Sequence, residues 1–132
     1  MSGGMASLLR LATSASMVAS FEPGLRQGAL AVRTAVNRSH GFHTAMAHYP
    51  KIQVVYEAEG VDWGFETGQR LMCEALAAHP DIAGVFAASD GMALGALDVI
   101  EATGRAGQIA VVGFDGQPEG LTAVYTGRLG AT

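Results

Sequence analysis

The sequence predicts an α/β fold: a three-layer sandwich in which a mainly parallel sheet has helices on both faces. Short apolar, β-branched runs alternate with helical patterns, and two of these runs end in a carboxylate, at residues 82–90 and 109–115. Strands separated by helices must cross over, so they are expected to be parallel. Ligands of such sheets bind beyond the carboxyl ends of the strands. Ser89, Asp90 and Asp115 therefore mark the expected binding edge.

Three strands and four helices are expected after residue 37. Apolar, β-rich composition predicts the strands, at residues 52–56, 82–87 and 109–114. Helical periodicity is expected before, between and after them, on the apolar residues Phe42, Ala45, Met46, Phe65, Met72, Leu76, Met92, Ala96, Leu97, Ile100, Leu121, Val124 and Tyr125. Among these, Leu121, Val124 and Tyr125 are expected to point inward.

Capping residues set the limits of two helices. Asp90 is the predicted N-cap of the third helix, and Gly104 is expected just after its end in a left-handed conformation. Pro118 suits the first turn of the last helix, and Gly127 follows its end.

The first 36 residues form an unassigned N-terminal segment. Several leucines followed by Met17 and Val18 fit a short helix, while residues 28–36 fit either a strand or a helix. Pro23-Gly24 breaks the pattern between them. The expected organisation is therefore residues 1–36 as this segment and residues 37–132 as an incomplete α/β lobe.

Composition excludes several classes of protein. Hydrophobic residues make up 49% of the 132 residues and charged residues only 15%, which is typical of a globular core. From residue 51 onward the chain has four basic and eleven acidic residues, so no basic patch for nucleic acid is predicted. No apolar run approaches the roughly 20 residues of a membrane span. The first nineteen residues lack the pattern of a secretory signal. The single cysteine, Cys73, is expected to be a small buried apolar group.

The sequence predicts no enzyme, metal site or cofactor. His40 and His43 could share a helical face near His48, but no third ligand stands at a diagnostic spacing. Glu57 and Glu59 could form a carboxylate pair, although a solvated strand edge is the favoured interpretation. Neither phosphate-binding glycine motif, GxGxxG or GxxxxGK[ST], occurs.

Four segments together resemble a known family. They are RSHGF (38–42), HPDIAGVFAASDGMALGAL (79–97), VVGFDGQPEGLTAV (111–124) and GRLGAT (127–132). They are similar to the C-terminal lobe of periplasmic sugar-binding proteins of ABC transporters, of the ribose-binding type, which have the type I periplasmic binding protein fold. The resemblance runs from Arg38 to Thr132, and it predicts that the chain is a truncated part of such a protein.

The resemblance implies a sugar-binding role for four residues. Arg38 matches an arginine that hydrogen-bonds sugar hydroxyls, and Asp115 matches an aspartate that accepts hydroxyl protons. Trp63 matches an aromatic position that packs on the sugar ring. Ser89 matches a position that is commonly asparagine, so the preferred sugar is left open. Arg-x-x-Gly-Phe lies at the start of a helix in the family.

The implied function is non-catalytic binding of a monosaccharide for import. The implied partners are the sugar, a missing N-terminal lobe and the membrane components of an ABC transporter, with no nucleic acid. The implied location is the periplasm. Two alternatives stay open: the effector-binding domain of a lactose-repressor-type regulator, and a non-binding α/β fragment whose exposed lobe surface forms homo-oligomers.

Overall fold

The computed structural model describes residues 16–23 and 29–132, which form one parallel four-stranded sheet with four helices. The strands lie in the order β2-β1-β3-β4, and every pairing is parallel. The elements in chain order are β1 (Ser16–Pro23), α1 (Ala29–Met46), β2 (Ile52–Gly60), α2 (Phe65–Ala78), β3 (Ile82–Ala87), α3 (Asp90–Ala102), β4 (Ala110–Val112) and α4 (Pro118–Tyr125). This arrangement confirms the predicted fold class.

The sequence interpretation missed the first strand. Met17 and Val18 lie in β1, a central strand, and not in a helix. They pair with Gln53 and Val54 of β2, and Val18 also pairs with Gly84 of β3. For such a short apolar run, the stabilisation gained by burial between two neighbouring strands outweighs a local preference for a helix. The leucines of residues 8–11 lie outside the described residues.

Helices cover both faces of the sheet. On one face, the ring of Phe42 in α1 stacks on Phe86 in β3, with the ring centroids 4.7 Å apart. On the other face, the Tyr56 hydroxyl of β2 donates to Glu74 of α2 at 3.4 Å. Adjacent residues of a strand point to opposite faces. The expected three layers are therefore confirmed, with α1 on one side of the sheet and α2 on the other.

The main core lies between the sheet and the helices α2 and α3. Its largest fully buried apolar side chains come from β1, α2, β3, α3, β4 and the segment after α4: Phe21, Leu71, Met72, Ile82, Met92, Ile100, Val111 and Leu129. Cys73 is exposed, so its predicted burial is wrong. The buried stripe of α2 runs through Leu71, Met72 and Ala75, and Cys73 lies off that stripe.

Two predicted features near the C-terminus are also wrong in detail. Strand β4 ends at Val112 and does not continue to Phe114, which is 43% exposed. Helix α4 buries its small residues, Gly120 and Ala123, and leaves Leu121 and Tyr125 exposed. The small residues allow a close approach of α4 to the rest of the chain, which turns the larger side chains outward. Pro118 at the start of α4, the positive φ angle of Gly104 after α3 and the place of Gly127 after the end of α4 are as predicted.

None of the described helices combines the length and the apolarity needed to cross a lipid bilayer.

Helices α2 and α3 approach each other through two glycines. A Cβ atom on Gly68 would overlap the backbone of Met92, and one on Gly95 would overlap the backbone carbonyl of Phe65. Gly41, in the middle of α1, has open space around the same position. The chain therefore offers a matched pair of glycines, one tightly packed and one open.

We expect Gly68→Ala to lower the free energy of unfolding by about 1–3 kcal/mol, because the methyl group forces two backbones apart. Gly41→Ala should raise it by up to about 1 kcal/mol, since alanine is the better helix former. Urea unfolding followed by circular dichroism measures both changes. Equal effects of the two substitutions would contradict the close packing of α2 on α3.

Candidate functional site

An open groove of about 690 Å³ lies beyond the carboxyl ends of the strands. All four residues singled out from the sequence, namely Arg38, Trp63, Ser89 and Asp115, line it. They come from one helix and from the segments that follow β2, β3 and β4. The structure therefore brings together side chains that are up to 77 positions apart in the chain.

An ion pair between Arg38 and Asp115 lies in this groove. The Arg38 Nη2 donates to Asp115 Oδ1 at 2.7 Å, and the two side chains are only 15% and 27% exposed. The Arg38 Nη1 donates to the backbone carbonyl of Ala88 at 2.6 Å. The guanidinium carbon lies 4.0 Å from the ring centroid of Phe114 and 5.1 Å from that of Trp63. At such distances the face of an aromatic ring attracts a cation.

The resemblance implies that Arg38 lies at the start of its helix, but the structure places it elsewhere. It is in the interior of α1, which begins at Ala29. Between Ala29 and Arg38 there is neither glycine nor proline, so nothing in the sequence interrupts the helix before Arg38. Its long side chain still spans the distance to the groove.

A short turn after β2 holds Trp63. The Asp62 Oδ1 accepts from the backbone N–H of Gly64 at 2.8 Å and from the Thr67 hydroxyl at 2.6 Å. The Thr67 hydroxyl and then the Gly64 amide lower the pKa of Asp62 below its usual value, because both donate to the carboxylate. The carboxylate of Asp62 thus fixes the chain on both sides of Trp63.

Ser89, and not Asp90, is the N-cap of α3. The Ser89 Oγ accepts from the backbone N–H of Met92 at 3.2 Å and donates to the carbonyl of Trp63 at 2.8 Å. Ser89 has the extended conformation of an N-cap, whereas Asp90 is already helical. The predicted cap was one residue too late. The Ser89 hydroxyl is therefore engaged within the protein, where it joins the β2 and β3 edges of the groove.

Asp90 is fully buried and anchors the segment that carries Asp115. Its Oδ2 accepts from the backbone N–H of Gln117 at 2.9 Å, and its Oδ1 accepts from the Thr132 hydroxyl. Thr132 Oγ1 in turn accepts from the N–H of Gly116 at 3.1 Å. Gly120 faces this carboxylate so closely that a Cβ atom would overlap it. Gly120, the last residue of the stretch Gly116-Gln117-Pro118-Glu119-Gly120, thus makes room for Asp90.

Asp115 has a strained backbone. Its φ angle of 113° is the only positive value at a non-glycine residue of the described chain. A conformation of this kind costs roughly 1–3 kcal/mol and persists only where the surroundings enforce it. The hydrogen bonds of Asp90 on one side and the ion pair with Arg38 on the other hold Asp115 in this conformation.

Three further residues in or beside the groove were missed by the sequence interpretation. Phe114 packs on the Arg38 guanidinium, while Gln117 and Thr34 line the groove. The apolar run before Asp115 concealed Phe114, because it was counted as the end of a strand. Its position next to Asp115, in the segment beyond a strand end, is the signal that could have identified it.

The groove can form hydrogen bonds with a small polyhydroxylated molecule. Arg38 has planar N–H donors beyond the two that are engaged, and Asp115 has a second carboxylate oxygen, Oδ2, that accepts no hydrogen bond from the described residues. Trp63 and Phe114 add aromatic surface beside these groups. Donors, an acceptor and apolar faces thus meet at one place.

Comparison with known proteins relates the chain to one family. The family model described as "Periplasmic binding protein domain" matches residues 13–132. The match therefore includes β1, beyond the stretch from Arg38 that the sequence motifs singled out.

Curated relatives and solved structures agree with this match. The ribose import binding protein of Salmonella typhimurium is 42% identical over 106 residues, which are 80% of this chain and 35% of the relative. The D-ribose/D-allose-binding protein of Pseudomonas aeruginosa is 35% identical over 111 residues, 84% of this chain and 34% of the relative. An ABC transporter periplasmic solute-binding protein from Actinobacillus succinogenes, solved with bound D-allose, has a TM-score of 0.81 and 32% identity. The match covers 96% of this chain and 44% of that one. The chain thus spans about a third of the length of the curated relatives it matches.

We expect Asp90→Ala to lower the free energy of unfolding by about 1–3 kcal/mol, because the Gln117 N–H and the Thr132 hydroxyl lose their acceptor. It should also displace the segment that holds Asp115. Urea unfolding measures the first effect, and the fluorescence of Trp63, the single tryptophan, reports the second.

The matched control is Asp81→Ala, at an exposed position just before β3. It should change the stability by no more than about 0.5 kcal/mol. A similar loss in both variants would contradict the anchoring role of Asp90.

Proposed function

The chain belongs to the family of periplasmic binding protein domains, and on this premise we propose that its groove binds one side of a monosaccharide as part of an ABC-transporter solute-binding protein. The observation that carries the proposal is the Arg38–Asp115 ion pair, held against two aromatic rings at the carboxyl edge of the sheet. The role is non-catalytic. In this proposal the sugar is recognised and released unchanged.

Charged, planar groups suit a sugar because its neighbouring hydroxyls are both donors and acceptors. The free N–H groups of Arg38 would donate to hydroxyl oxygens, and Asp115 Oδ2 would accept hydroxyl protons. A hydrogen bond to a charged group contributes more free energy than one between neutral groups, about 1.5–3 kcal/mol each. The aromatic faces of Trp63 and Phe114 would contact the apolar C–H surface of the ring.

Preorganisation supports the same role. Asp115 is held in a strained conformation by contacts within the protein, and its partner Arg38 is fixed by the Ala88 carbonyl. A site whose groups are already oriented loses less entropy when the ligand binds. The Ser89 hydroxyl would act mainly by holding Trp63 in place, since both of its hydrogen bonds are internal.

The groove covers only one side of a ligand, so its affinity for sugar should be low in this chain alone. A small-molecule site usually encloses most of the surface of its ligand. We therefore propose that a second lobe completes the site and that the complete protein acts in the periplasm with the membrane components of the transporter. The curated relatives named above are a ribose import binding protein and a D-ribose/D-allose-binding protein, which disfavours the effector domain of a transcription regulator.

We expect D-ribose or D-allose, at millimolar concentration, to change the fluorescence of Trp63 and to raise the melting temperature. At ten times the dissociation constant, the gain in stability is about 1.4 kcal/mol. Arg38→Ala and Asp115→Ala should each abolish both effects.

The matched control is Arg70→Ala, which removes another arginine–carboxylate ion pair, with Glu74 at 2.9 Å, on the exposed surface of α2. This variant should respond to sugar like the original chain. A response that survives Asp115→Ala would contradict the proposed site.

Size-exclusion chromatography tests the competing interpretation, a fragment that only self-associates. Leu30, which lines the groove, and Phe114, which packs on Arg38, are exposed apolar side chains. A monomer that is stabilised by sugar supports the proposal. A folded oligomer that does not respond to pentoses or hexoses would overturn it.

A further inference from the structure

A second group of polar side chains lies on the face of the sheet that α1 covers. Glu22 near the end of β1, Glu57 in β2 and His43 in α1 place one ligand atom each within 4.8 Å of the others. The His43 Nε2 lies 2.5 Å from Glu57 Oε1. None of these three residues lines the sugar groove. The cluster is therefore a separate feature of the fold.

The negative charge of this cluster is not balanced by a strong base. Among residues 16–23 and 29–132, no lysine or arginine forms an ion pair with Glu22 or Glu57, and His43 is the one basic partner. Within the described part of the chain, Glu22 accepts a side-chain hydrogen bond only from the Ser20 hydroxyl, at 3.2 Å. Two carboxylates at this separation repel each other, and a bound cation would remove that repulsion.

We propose that Glu22, His43 and Glu57 form a binding site for a divalent transition metal ion, with Zn²⁺ as the best-matched ion. Zn²⁺ takes imidazole nitrogen and carboxylate oxygen at about 2.0–2.2 Å, and three protein ligands with a water molecule complete a tetrahedron. Imidazole favours Zn²⁺ over Mg²⁺ and Ca²⁺, which prefer oxygen ligands alone. The His43 and Glu57 side chains are 43% and 53% exposed, so they have room to reorient around an ion.

The location indicates a structural role for the metal ion. Within the described part of α1, Ala35 is the one buried residue, so this helix has little apolar contact with the sheet. A metal ion held by His43 from the helix and by Glu22 and Glu57 from two strands would fasten α1 to β1 and β2. Because α1 also carries Arg38, the same ion would hold one wall of the groove.

Isothermal titration with Zn²⁺ tests the site in the whole chain with Cys73→Ser, because the exposed thiol is a competing ligand. We expect one equivalent of Zn²⁺ to bind and to raise the melting temperature. Amide hydrogen exchange within α1 should slow at the same time. Mg²⁺ at the same concentration should have neither effect.

His43→Ala and Glu57→Gln should each weaken zinc binding roughly tenfold or more, since each removes a ligand. His48→Ala, which removes an exposed histidine near the end of the same helix, is the matched control and should bind like the parent. Both exposed ligand positions tolerate substitution, and circular dichroism verifies that the variants are folded. Unchanged binding in His43→Ala, or no binding by the parent chain, would overturn the proposal.

Discussion

The buried carboxylate of Asp90 is the interaction on which the groove depends. It lies at the start of α3 and accepts hydrogen bonds from the Gln117 backbone and from Thr132, so it joins three separate segments at the edge of the sheet. A buried polar group is tolerated only when it has hydrogen-bond partners, and here both carboxyl oxygens have one. This requirement keeps the segment after β4 in one conformation, including the strained φ of Asp115.

The Arg38–Asp115 ion pair extends that constraint to the other side of the sheet. Arg38 comes from α1, which has little buried surface of its own, and its guanidinium reaches both the Ala88 carbonyl after β3 and the carboxylate after β4. The groove is thus held by polar contacts between elements that share few apolar ones. The proposed metal site at His43 would reinforce the same helix a short distance along the chain.

Local sequence patterns predicted much of the fold because these patterns depend on residues that are close together in the chain. The strand at 82–87, the parallel alternation and Pro118 at the start of α4 follow from periodicity and capping, which involve near neighbours in the chain. The errors occur where packing competes with local preference. Met17 and Val18 fit a short helix but lie in a central strand, and Ser89 takes the capping role expected of Asp90.

The sequence by itself determined the α/β class, the edge of the sheet at which polar groups gather, and the four residues of the candidate groove through their resemblance to a family. Only the tertiary structure decided how those residues meet, because an ion pair between positions 38 and 115 leaves no periodic trace in the chain. The same reason concealed Glu22, His43 and Glu57. Side chains contributed by three different elements come together only when the sheet and its covering helix have formed.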